Sequence, residues 1–246
     1  MPAIHERYSE ELRSEFDYLS TWLPNSPIEL GDVGRLHRDR FERVTSLTEL
    51  GIPYGTRERE RGVDLEYSSA ASIDIAEAGA AAPAMARISV TFTRRHGIVF
   101  QARACHVSEI ADRAELGRRV LELSRTAEWP AGQVVVTEVV TTGPAVVLIS
   151  QQQDARVDLE ADLTGMAGVL PLASLSVGLN VIRSKGIGVK VIAPDGLTPL
   201  FRASGVRRRL LSGEAFGNRG TAVPPQVGGG VADSVFAELT YEDLGV

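Results

Sequence analysis

Ile4, Tyr8, Leu12, Phe16 and Leu19 recur at helical spacing, which predicts an amphipathic helix ending before the turn cluster Pro24-Asn25-Ser26-Pro27. Leu30 to Leu36 and Phe41 to Leu47 read as short strands joined by His37-Arg38-Asp39-Arg40. The run Thr56-Arg57-Glu58-Arg59-Glu60-Arg61 reads as a solvated loop. Beyond it the period changes to two: Leu65, Tyr67, Ile73 and Ile75 interleave with Glu66, Ser72 and Asp74. After a small-residue tip from Gly79 to Pro83, Ile88, Val90 and Phe92 interleave with Ser89, Thr91 and Thr93. Ile98, Phe100 and Ala102 continue on a further strand.

A helix capped by Ser108 is expected next, with Ile110, Leu116, Val120 and Leu123 on its apolar face and Trp129-Pro130 at its end. Val134 to Val140 and Ala145 to Ile149 are nearly continuous β-branched runs, read as central strands joined by the turn Thr142-Gly143-Pro144. A second alternating pair follows. Val157, Leu159, Ala161 and Leu163 interleave with Arg156, Asp158, Glu160 and Asp162, and Leu175, Val177, Leu179 and Val181 with Ser174, Ser176, Gly178 and Asn180. Ile187 to Ile192 reads as the last strand. These elements predict an α+β domain over 1–211, with a twisted, mostly antiparallel sheet and flanking helices. A flexible Gly/Pro-rich linker covers 212–230, and a tail covers 231–246, where Val235, Phe236 and Leu239 suit a short amphipathic helix.

Composition narrows the function classes. The 246 residues carry a formal net charge of −6, against a nucleic-acid binder. One cysteine, Cys105, excludes an internal disulfide framework and fits a reducing, cytoplasmic setting. The N-terminus lacks the pattern of a signal peptide, and no run reaches the ~18 apolar residues of a spanning helix.

Motif chemistry is sparse. There is no nucleophile elbow, phosphate-binding loop or paired-histidine metal helix. His5, His37, His96 and His106 are scattered without ligand spacing. Cys105 and His106 are neighbours, but adjacent residues on a strand point to opposite faces, so Cys105 is expected to be buried and inert. The pattern predicts a protein that is not an enzyme and has neither cofactor nor metal.

The second alternating pair is the distinctive feature. Its limbs of about eight to nine residues approach the ~9–11 that a tilted strand needs to cross a bilayer. In that setting Val157, Leu159, Leu163, Leu175, Val177 and Leu179 would face lipid, and Asp158, Glu160 and Asp162 an aqueous lumen. Arg94, Arg95, Arg207, Arg208 and Arg209 could meet anionic headgroups. A soluble antiparallel sheet with one wet face gives the same alternation, so a non-enzymatic binding or adaptor module remains the alternative.

In element order the chain resembles the pore-forming domain of the gasdermins over roughly Ala3 to Ile192. The likeness runs from the N-terminal helix through the apolar segment Phe41 to Leu50 and the first alternating pair. It continues through the helix, the apparent hairpin of Val134 to Thr142 with Ala145 to Ile149, and the second pair. The resemblance implies a homo-oligomer that permeabilises membranes, moves from cytoplasm to inner membrane, and serves bacterial antiphage defence by self-killing. Membrane lipids and an activating protease would be its partners, and the tail residues Val235, Phe236 and Leu239 its autoinhibitor. Bacterial members carry a lipid-modified cysteine near the N-terminus. Cys105 lies far from it, so that device does not carry over.

Overall fold

The computed structural model of the chain describes residues 3–37, 40–77, 85–162, 172–209 and 233–239. Helix α1 (Ile4–Phe16) precedes β1 (Leu19–Ser20), β2 (Asp32–His37), β3 (Arg40–Ser46), β4 (Thr56–Ser69), β5 (Ala71–Glu77), β6 (Met85–Phe92) and β7 (Ile98–Ile110). Helix α2 (Arg113–Arg125) leads to β8 (Gln133–Thr141), β9 (Ala145–Ser150) and β10 (Ala155–Asp162). A 3-10 helix (Leu172–Gly178), β11 (Asn180–Lys185), β12 (Ile187–Ala193), β13 (Leu200–Arg209) and β14 (Asp233–Glu238) follow.

The fold class is α+β with antiparallel pairing, as the pattern predicts, but in two sheets. Ten strands form the main sheet, whose spine runs β1-β13-β8-β7-β9-β12. Strand β4 lies on β7, β2 on β8, β3 on β2 and β14 on β13. The small sheet is ordered β11-β10-β6-β5. Helix α1 covers one face of the main sheet, packing Tyr8 and Leu12 on Ile98, Phe100, Val147 and Ile149. The small sheet covers the other face, packing Ile88, Val90, Val157 and Leu159 on Val99, Val146 and Leu148. Alternate residues of β7 and β9 thus serve two cores, which explains their near-continuous apolar runs.

Several sequence expectations are corrected. Thr56 to Arg61 is solvated as expected but is strand, not loop: it pairs with β7 from Ile110 back to His106, and Arg57 and Arg59 reach buried carboxylates on β7 and β8. Strand β7 passes through Ser108 to Ile110, and α2 is capped instead by Asp112, whose carboxylate accepts the Glu115 N–H at 2.8 Å. Strands β8 and β9 are not a hairpin. Both lie end to end along one edge of β7, β8 opposite His106–Glu109 and β9 opposite Ile98–Ala102. The Thr142-Gly143-Pro144 break answers a bulge in β7: Gly143 N–H donates to the Arg103 carbonyl at 3.0 Å, so close that a Cβ on Gly143 would lie 2.8 Å from that oxygen.

The limb from Leu175 to Val181 is not one strand. The 3-10 helix carries it to Gly178, with Leu172, Ala173 and Leu175 buried, and β11 begins at Asn180. Strand β12 is not the last, since β13 and β14 follow. The tail is strand rather than helix, because the free edge of β13 offers Ser204 to Arg209 for pairing with Glu238 to Asp233. The expected tip at 79–83, Leu163 and the linker 212–230 lie outside the described residues.

Candidate functional site

Each small-sheet strand is the chain continuation of a main-sheet strand, and the four crossings lie side by side. Strand β4 passes into β5 through Ala70, β6 into β7 through residues 93–97, β9 into β10 through 151–154, and β11 into β12 through Gly186. Thr93 N–H donates to the Ala70 carbonyl at 2.9 Å, Ser150 N–H to Gly97 at 2.9 Å, and Gln151 N–H to Gly186 at 2.8 Å. The crossings therefore form one crease about which the small sheet folds back over the main one. Every crossing contains a left-handed residue: Ala70 at φ 50°, His96 at 59°, Asp154 at 56° and Gly186 at 68°. For an L-residue that conformation costs roughly 1–2 kcal/mol, with aspartate and histidine more tolerant, so the crease stores strain chiefly at Ala70.

Two polar nodes hold the crease shut. On the α1 side, Glu11 accepts from Arg7 at 2.5 Å, Tyr67 at 2.8 Å, Ser69 at 2.6 Å and Arg94 at 2.6 Å. It thereby ties the helix to the end of β4 and to the 93–97 crossing. Burial pushes the Glu11 carboxyl up, but the Ser69 and Tyr67 hydroxyls and the two arginines outweigh it, and the net shift is downward. At the second node the Ser150 hydroxyl donates to the Arg94 carbonyl and accepts the Gly97 N–H, both at 2.8 Å.

The small sheet is segregated row by row. On the buried face Ile73, Val90 and Val157 align, with Ser184 at the β11 edge of the row, as do Ile75, Ile88, Leu159 and Val181. On the wet face Ser72, Thr91, Arg156 and Lys185 form one row, and Asp74, Ser89, Asp158 and Arg183 the next. Arg156 and Ser89 both bond Asp158, at 2.7 and 2.8 Å, and Arg156 leads in holding its carboxyl below the usual range.

A buried charge network lies elsewhere on the main sheet. Arg57, Glu109, Glu138 and Arg202 stand in register across β4, β7, β8 and β13. Glu138 is fully buried, and directly opposed like charges are unfavourable across strands, so cations must compensate. Arg113 bonds Glu138 at 2.8 Å and Glu109 at 2.9 Å, Arg59 reaches Glu138 at 3.1 Å, and the Tyr18 hydroxyl donates to it as well.

The same network grips β14. Glu238 accepts from Arg202 at 2.8 Å and from Arg113 at 3.4 Å. Phe236 lies against Gly117 of α2, where a Cβ would come within 3.1 Å of its ring. Glu238 and Arg202 also line a cleft of about 500 Å³, with Arg13, Asp17 and Tyr18 among its other walls.

The remaining sequence-predicted residues are now placed. Val157, Leu159 and Leu175 are buried between the sheets, and Leu179 is half-buried beside them. Asp158 and Glu160 lie on the opposite face, while the side chains of Val177 and Asp162 are outside the described ones. Arg94 is bound to Glu11, Arg95 is exposed on the crease, and Arg207 is half-buried on β13, where it donates to the Glu238 carbonyl. Arg208 and Arg209 belong to β13, with side chains outside the described ones. Val235, Phe236 and Leu239 are half-buried on or beside β14. Cys105 sits in the α1 core, its thiol pushed up to about 11 chiefly by burial.

Reading the sequence missed Glu11, Glu138 and the crease residues. Glu138 left one signal, a carboxylate interrupting a β-branched run. Among the described residues no helix is long and apolar enough to cross a membrane.

No protein-family model matches the chain, and neither does any curated protein. Among solved structures, a cryo-EM structure of the gasdermin A3 membrane pore is similar at 13% identity over 85% of this chain and 91% of that one, with a TM-score of 0.40. So distant a likeness carries no functional argument, and the reading that follows rests on the geometry above.

Proposed function

We propose that this chain is a non-enzymatic, membrane-permeabilising protein whose small sheet unfolds about the crease and inserts as part of a many-copy assembly. The observation that carries the reading is the crease itself: four aligned crossings, each with a left-handed residue, under a sheet whose two central strands, β6 and β10, put apolar residues on one face and mostly polar ones on the other. Straightening the crossings relieves backbone strain and joins β5 to β4, a run from Thr56 to Glu77. The strands are six to eight residues in the folded-back state, and growth across the crease would give the ~9–11 needed to span a bilayer. Lipid would replace Val99, Val146 and Leu148 as the partner of Ile88, Val90, Val157 and Leu159. Asp158 and Glu160 would stay in water. Open strand edges cannot lie in lipid, so many copies must close a ring.

The grip on β14 supports a restraining role for the tail. Cutting within 210–232 would turn an intramolecular contact into a bimolecular one and weaken it. In this reading a protease releases the tail, the protein moves from cytoplasm to inner membrane, and the cell kills itself in defence.

The test is dye release from anionic and zwitterionic vesicles by the full chain with a protease site placed between 212 and 230. Uncut protein should be silent, while the cut chain and uncut Phe236→Asp should leak. If folded protein in all three forms leaves every vesicle intact, the permeabilising reading is wrong and a binding module takes its place.

A further inference from the structure

One edge of β13 is divided between two strands. Strand β1 takes Leu200 and Phe201, and β14 takes Ser204 to Arg209. The Leu239 N–H donates to the Ala203 carbonyl at 3.0 Å, which fills the second stretch up to the boundary. Three side chains of β14 and its end are read separately. Phe236 packs on the cluster that holds Leu116 and Val120 of α2, over Gly117, where a Cβ would come within 3.1 Å of its ring. Glu238 accepts from Arg202 of β13 at 2.8 Å and from Arg113 of α2 at 3.4 Å. Leu239 packs on the cluster of Val134, Val136 and Phe201.

The covalent connection contributes little to this fit. Arg209 and Asp233 face each other in register, so about two residues would close a hairpin there, yet the whole of 210–232 lies between them. The effective concentration of a tethered partner falls as the tether grows beyond its span. The contacts of Val235 to Leu239 therefore hold the tail, and another strand with the same side chains would meet the same contacts. Charge selects such a strand. Arg113 and Arg202 each reach both the buried Glu138 and Glu238. Removing Glu238 leaves cationic charge beside the empty edge that a new carboxylate would neutralise.

We propose that this stretch of β13, with α2 as its wall, is a recognition slot for a strand of a separate protein. Its occupant is an extended segment with aromatic, acidic and aliphatic side chains in the order Phe-x-Glu-Leu, and it enters once the tail has been cut away. Main-chain pairing to a sheet edge supplies affinity, and the three side-chain places supply selectivity. Resting on the restraining role given above to the tail, the borrowed strand returns the cut chain to its silent form.

The probe is a fluorescent peptide with Val-Phe-Ala-Glu-Leu between flanks unrelated to this chain. It is titrated by anisotropy against the full chain with the cleavable 212–230 segment, either uncut or cut and freed of its tail, with thermal unfolding followed alongside. The cut chain should bind saturably, and the uncut chain about tenfold or more weakly, because its own tail competes. Glutamine for the peptide's glutamate, or alanine for its phenylalanine, should each weaken binding about tenfold. Gly117→Val in the cut chain should do the same by occupying the place of the ring, and the alanine peptide should bind this variant as well as it binds wild type. Vesicle leakage by the cut chain should fall as the peptide saturates it. No binding to a folded cut chain, or binding indifferent to all three substitutions, would overturn the slot. Binding of a 231–246 peptide without binding of the probe would overturn it too, leaving the surface to the tail alone. The expected binding by a cut chain that never leaks would sustain the slot and sink the membrane reading. The expected binding with leakage undiminished would overturn the silencing and, with it, the tail's restraint.

Discussion

The two sheets each carry glutamates on their strands, and the comparison of Glu138 with Glu160 shows how differently they are built. Glu138 is fully buried in β8, between strands covered on both faces, and three arginines and a tyrosine surround it. Glu160 sits on the wet face of β10, in a row with Arg87 and Asn180. The main sheet is fixed by a buried carboxylate and the cations gathered on it. The small sheet is fixed by one apolar face, which any other apolar surface could cover, and by the Glu11 and Ser150 nodes at the crease.

The largest break in this contrast should come at Glu138. Replacing it with alanine removes the buried acceptor shared by Arg59, Arg113 and Tyr18 and should cost about 1.5–3 kcal/mol in denaturant unfolding; a loss below about 0.5 kcal/mol would mean the network contributes little to the fold. Next is Ala70→Gly, which removes the left-handed penalty and should stabilise the folded-back state by about 1 kcal/mol while slowing leakage. Faster leakage from a more stable protein would detach strain from opening.

A smaller, pH-dependent effect is expected at His96. Burial, then Arg95 and Arg7, hold its imidazole below the ordinary value of 6.5. The unfolded chain therefore takes up a proton first as the pH falls through 6.5, and stability declines from there downward until the folded group also protonates. His96→Asn, which tolerates the left-handed backbone, should flatten that part of the melting-temperature profile. Smallest is Glu160→Lys: a change on the wet face of β10 should stay within about 0.5 kcal/mol and leave leakage intact.

Periodicity carried most of the fold. The spacing of Ile4 to Phe16 gives α1, and the alternation from Ile73 to Phe92 and from Val157 to Ala161 gives three of the four small-sheet strands, because in each a single apolar face meets a single core. The misreadings share a physical cause. Arg57 and Arg59 are solvated, but the strand they lie on is held by Glu109 and Glu138, some 50 and 80 residues away, which no local pattern shows. Val235, Phe236 and Leu239 fit a helix until β13 presents a free edge. Leu172 and Leu175, three apart, did hold the signal for a 3-10 turn, but alternation from Leu175 onward outweighed it. The crease left almost no trace, since alanine, histidine and aspartate do not announce a left-handed backbone as glycine does.

The pairing of β1 with β13 also dictates when the molecule can be completed during synthesis. Asp17 and Arg202, joined at 3.0 Å, stand 185 positions apart. The hairpin of β5 and β6, by contrast, is complete while more than half of the chain is still to be made. Folds dominated by such distant pairings form slowly, on the order of milliseconds to seconds. Strand β14 is translated after β13, so a nascent copy emerges with the flank of β13 uncapped. On a crowded polysome, neighbouring copies would meet in that interval, and a strand from the next chain could seat on β13 before its own arrives.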